Sequence, residues 1–101
     1  MRIGIFDDNE CNFAVQVAND VNIEQVKELL KAGLGAWYQA ANEDIEPNEY
    51  FNQDDIESFY WSGYSEPSCE LLTRFNIPYE DIDILYDDNG NPSNIDIVVN
   101  Y

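Results

Sequence analysis

Apolar and polar residues change rhythm several times along this chain. Residues 2–6 and 13–18 are strand-like. In the second run Phe13, Val15 and Val17 alternate with Ala14, Gln16 and Ala18, the pattern of a strand with one buried face. The polar residues 7–12 between them read as a turn, so the two runs predict a hairpin. At Ile23 the period lengthens. Val26, Leu29, Leu30, Leu34, Trp37, Tyr38 and Ala41 recur at helical spacing, and Asn22 and Gln25 stand in capping-box register at the start. Glu24, Lys27, Glu28 and Lys31 occupy the outer side, spaced for ion pairs worth a few tenths of a kcal/mol each. Gly33 and Gly35 cost about 1 kcal/mol apiece relative to alanine, which predicts close packing against the sheet or a bend.

Pro47 ends helical continuity. A short helix is predicted to start at Asn52 or Asp54 and run through about Trp61, with Ile56, Phe59 and Tyr60 inward and Asp54, Glu57 and Trp61 on the opposite face. Another covers residues 66–75, burying Leu71, Leu72 and Phe75, and is stopped by Asn76 and Pro78. Residues 81–86 alternate again, residues 88–92 supply turn chemistry, and residues 95–99 return as a strand. The order is ββ-α-α-α-ββ. It predicts an α+β fold over a single domain, residues 1–101: an antiparallel sheet of about four strands with helices packed on one face.

Composition sharpens this picture. Hydrophobic residues make up 45% of the 101 and aromatics 14%, enough for a core, unlike acidic disordered tails. No run approaches the ~20 apolar residues that span a bilayer, and residues 1–8 lack the apolar region of a signal peptide. A cytoplasmic protein without membrane contact is the expectation. Cys11 and Cys69 are far apart with no His in the chain. That favours free thiols and excludes the usual zinc sites.

Charge changes the functional picture most. The chain carries 21 acids against 4 bases, a net charge of −17. Such an excess repels itself and weakens the compact state. A protein of this size is roughly 33 Å across, and that length of duplex DNA carries about 20 phosphates. Residues 32–73 contain no Lys or Arg but nine acids. Seven of these fall close together: Glu43, Asp44, Glu46, Glu49, Asp54, Asp55 and Glu57. Tyr50, Phe51, Phe59, Tyr60, Trp61 and Tyr64 are threaded through and just past them.

Catalysis is disfavoured. Without His, a Ser or Cys nucleophile has no usual base. Short loops leave little room for a cleft between paired carboxylates, and no Gly-rich phosphate loop is present. No enzyme activity, cofactor or metal is expected. Asp87, Asn89 and Asp96 match ligand positions of a calcium-binding loop aligned on Gly90, but Leu85 holds the first ligand position. Both this segment and residues 7–10 read as turns.

The acidic, aromatic stretch remains. A solvated face normally mixes signs, as the first helix does, whereas nothing basic in this stretch offsets its seven acids. A row of carboxylates suits the basic groove of a nucleic-acid-binding protein, and complementary charge speeds association. Tyr50, Trp61 and Tyr64 are the candidate buried anchors, because aromatics dominate binding hot spots. In size, charge and aromatic interleaving the chain is similar to small acidic DNA-mimic inhibitors: phage anti-CRISPR and anti-restriction proteins, and acidic immunity proteins against nuclease toxins. The resemblance implies a non-catalytic inhibitor, encoded by a phage or mobile element or beside a toxin. It would occlude the basic surface of a CRISPR effector, restriction enzyme or nuclease without itself binding nucleic acid. Asp7, Asp8, Glu10, Asp83, Asp87 and Asp88 are candidates to extend the track. A calcium-binding module and an acidic structural or adaptor protein are the alternatives. Oligomeric state is left open.

Overall fold

In the computed structural model, which describes residues 1–101, the elements follow the expected order: β1 (Arg2–Phe6), β2 (Phe13–Gln16), α1 (Ile23–Ala41), α2 (Gln53–Phe59), α3 (Glu66–Arg74), β3 (Glu80–Ile82) and β4 (Ile97–Asn100). The fold is α+β. Two units can be distinguished, one formed by Met1–Asn22 with Ile77–Tyr101 and the other by Ile23–Asn76.

The first unit holds the sheet, with strand order β3-β2-β1-β4. β1 and β2 form the expected antiparallel hairpin, with Ile3 opposite Val15. Its turn is organised by Asp7, whose Oδ1 accepts the N–H groups of Asn9 at 2.9 Å and Cys11 at 3.1 Å. β2 ends at Gln16 rather than at residue 18. β3 adds antiparallel to β2, but β4 runs parallel to β1, with Ile3 opposite Ile97. The sheet is therefore mixed, which corrects the purely antiparallel expectation.

The antiparallel return expected across the turn at residues 88–92 is cut short for a local reason. Its turn does form: Asp87 Oδ1 accepts the N–H groups of Asn89 and Asn91, and Tyr86 bridges to Pro92. The ladder goes no further, because the Asn94 side chain accepts the Leu85 N–H and donates to the Asp83 carbonyl. Those groups then need no neighbouring strand. β3 shrinks to three residues, and Leu85 and Tyr86 are exposed. The chain instead crosses to the open edge of β1, where the Arg2 N–H bonds Asp96 Oδ2 at 2.7 Å and the Asp96 N–H bonds the Arg2 carbonyl at 2.9 Å. Ile3, Ile5, Val15, Val17 and Val99 are buried.

The second unit holds the three helices. α1 buries Val26, Leu29, Leu30 and Leu34, as its periodicity predicts, together with Ala36 and Ala40; Trp37 and Tyr38 are partly buried, and Ala41, expected inside, is exposed. Gly33 is where α3 comes close: a Cβ there would lie 2.2–2.3 Å from the Oγ, Cα and N of Ser68. The buried Ser68 hydroxyl donates to the Leu30 carbonyl at 2.8 Å. This glycine serves the close approach of α1 and α3. α2 buries Ile56 and Phe59, and Phe51 meets Phe59 edge-to-face at 4.8 Å. Tyr60 and Phe75, both expected inside, are exposed. α2 stops at Phe59 and α3 at Arg74, so each of these residues follows the last helical position and leaves the buried face. Cys11 and Cys69 are not joined in a disulfide.

Candidate partner-binding face

All ten residues singled out in the sequence belong to the helical unit, in the loop after α1, in α2 and in the turn after it. α1 ends in a Schellman motif: the Asp44 N–H bonds the Gln39 carbonyl at 2.8 Å, and the Glu43 N–H bonds that of Ala40 at 3.1 Å. Glu43 takes the left-handed conformation this motif needs, with φ +58°. The loop has no regular secondary structure, yet it is firmly tied. Gln39 Nε2 donates to the carbonyl of Glu46 at 3.0 Å. Asn48 Nδ2 donates to Gln39 Oε1, and Asn48 Oδ1 accepts the N–H groups of Tyr50 and Phe51, each at 2.9 Å. The acids are thus presented on a braced segment, and ordering them on binding costs less than it would for a slack one.

Glu43, Asp44, Glu46, Glu49, Asp54 and Glu57 are exposed, and the three ion pairs of the molecule lie elsewhere, at Arg2–Asp96, Lys27–Glu24 and Arg74–Glu70. Asp55 differs from them. Its carboxylate accepts the Asn52 N–H at 3.2 Å while Asn52 Oδ1 accepts the Asp55 N–H at 2.8 Å, a complete capping box at the start of α2. This acid therefore holds the helix together.

One base does reach this region, which corrects the picture of an uncompensated stretch. Arg74 lies just beyond the basic-free run. The fold brings its guanidinium to the Tyr50 carbonyl, to which it donates, and to within 5.1 Å of the Phe51 ring centroid. Arg74 also lines a cleft of about 410 Å³ together with Glu49, Tyr50 and Asp55. No local pattern signals this; the residue comes in from the end of α3.

The aromatic candidates separate equally clearly. The Tyr50 hydroxyl donates to Glu28 Oε1 at 2.8 Å. That bond, burial and the neighbouring Glu49 hold its phenol above the ordinary tyrosine pKa. Tyr64 stands edge-to-face on Trp37, 6.1 Å between centroids, and is half-buried. Both rings serve the fold. Trp61 is 85% exposed, and the exposed Tyr60 stands edge-to-face to it at 4.8 Å. Successive N–H to carbonyl bonds from Tyr60 to Glu57, Trp61 to Ser58 and Ser62 to Phe59 form the turn that carries them. The indole N–H of Trp37 fastens its far end by donating to the Ser62 carbonyl at 3.1 Å. A groove of about 440 Å³ results, lined by Ala40, Glu43, Ile45, Gln53, Glu57, Tyr60 and Trp61.

No group of three or more His, Cys, Asp or Glu side chains is arranged to hold a metal ion, and Asp96 is engaged with the β1 backbone. No helix is long and apolar enough to cross a membrane. Comparison with protein-family models, with curated proteins and with solved structures finds no match for this chain.

Proposed function

We propose that this protein is a non-catalytic acidic inhibitor. It presents carboxylates in place of phosphates and occludes the basic nucleic-acid-binding surface of a CRISPR effector, restriction enzyme or nuclease. The observation that carries this reading is the braced loop and α2, on which Glu43, Asp44, Glu46, Glu49, Asp54 and Glu57 are exposed and unpaired with any base. Unpaired like charges held close together weaken a fold. A partner that supplies Lys and Arg relieves that repulsion and is drawn in faster by it. Direct binding to nucleic acid is disfavoured by the same charge.

The test is competition. Purified protein is expected to displace labelled duplex from a susceptible member of a panel of CRISPR effectors, restriction enzymes and nuclease toxins. By itself it should shift neither single-stranded nor duplex DNA. Asp54→Lys with Glu57→Lys should lower the inhibitory potency by about tenfold or more, given the roughly 1.5–7 kcal/mol measured for close interfacial charge pairs. Asp55 is left intact because it caps α2. A protein that itself shifted DNA at moderate salt, or kept its potency after charge reversal, would rule the reading out.

A further inference from the structure

The groove beside Trp61 gives the acidic face a specific point of recognition. We propose that it receives an arginine side chain of the basic partner, with the guanidinium against the exposed aromatic pair and forked toward Glu43 and Glu57. This rests on the reading of the face as a protein-binding surface and names the group that the surface selects.

Trp61 is the most exposed large apolar residue of the molecule, at 85%, and Tyr60 beside it is 50% exposed. A tryptophan held out in water by a fastened turn gains nothing from the core. It is placed to be covered by something else. The groove supplies the rest: the half-buried Ile45 gives it an apolar side, and the exposed acids Glu43 and Glu57 line it without any basic side chain. Charge complementarity therefore selects a cation. Arginine fits better than lysine for three reasons. Its planar guanidinium stacks on an aromatic face, its fork engages carboxylates in pairs, and it gives up hydration more readily than an ammonium. The aliphatic stem of the side chain would cover Ile45.

The probes are hexa-arginine and hexa-lysine peptides of equal charge, titrated at one moderate ionic strength while the two indole N–H resonances are followed. Hexa-arginine is expected to bind about fivefold more tightly than hexa-lysine, and to move the Trp61 resonance while leaving that of Trp37 in place. Trp61→Ala should remove the arginine preference without changing the melting temperature, because the ring is outside the core. Glu57→Gln should weaken both peptides. Equal affinities, or an arginine preference that survives Trp61→Ala, would overturn the groove while leaving the acidic face standing. Failure of both peptides to bind would remove both ideas together. A Trp61 resonance that moves with protein concentration alone would assign the groove to a second copy of the chain and refute the arginine.

Discussion

At the scale of single residues, the acidic stretch contains side chains with opposite duties, and neighbours in sequence do not share them. Asp54 is exposed while Asp55 closes a capping box. Trp61 is exposed while Tyr64, three residues on, stands edge-to-face on Trp37. Tyr50 shows the fold-keeping role most directly, because its hydroxyl joins the loop to Glu28 on α1. The bond needs a protonated phenol, and its pKa is raised in the folded state. The associated stability is therefore complete below the ordinary tyrosine pKa near 10 and is lost as pH rises from there through the folded value. Tyr50→Phe is expected to cost about 1 kcal/mol at neutral pH, modest for a bond to a charged group because the site is solvent-accessible. In urea melts the gap between wild type and Tyr50→Phe should stay constant up to about pH 9 and narrow above it. A gap that widened with alkali would assign the phenol a different role.

At the scale of elements, what the sequence reveals depends on how local its cause is. α1 spans Ile23–Ala41, as its apolar spacing predicts, and β1 spans Arg2–Phe6, because each is marked by a contiguous local pattern. The place of β4 is not legible in the same way, because the turn signal before it is local while its partner strand is not. β4 pairs with β1, at the other end of the chain, and the Asn94 side chain interrupts the nearer ladder. At the candidate face, acidity could be read directly. The approach of Arg74 and the outward turn of Tyr60 could not, since one is a long-range contact and the other depends on α2 stopping at Phe59. The C-terminus of α1 offers a test of how shape and binding trade against each other. Glu43→Gly relieves the left-handed strain and is expected to raise stability by about 0.5–1 kcal/mol. It also removes a groove carboxylate and should weaken hexa-arginine binding by several-fold. Loss of stability in this variant would mean that the Glu43 side chain supports the loop in a way its strain does not suggest.

At the scale of the whole molecule, the governing quantity is the net charge of −17 over 101 residues. Attractive pairs are few: three ion pairs, each between partly exposed side chains, and such pairs contribute at most about 1 kcal/mol each. Repulsion among exposed carboxylates is more widespread, acting within the helical unit and also among Asp8, Glu10, Asp83, Asp87 and Asp88 of the sheet unit, all exposed. Salt screens both, with a Debye length falling from about 30 Å at 0.01 M to about 10 Å at 0.1 M, and here there is more repulsion than attraction to screen. Raising sodium chloride from about 0.01 to about 0.3 M should therefore raise the melting temperature by several degrees, about 1 kcal/mol for a domain of this size. Calcium at matched ionic strength should add nothing, because Asp87 and Asp96 are bonded to backbone N–H groups; a calcium-specific rise would instead reveal a bound ion. Over the same salt range, affinity for a basic partner must fall, since screening weakens the attraction that draws the two together. Opposite salt slopes for stability and binding are the signature expected if one set of carboxylates both strains the free protein and attracts its partner. A melting temperature that fell with salt would mean that the few ion pairs outweigh the repulsion, and the charge would then need another explanation.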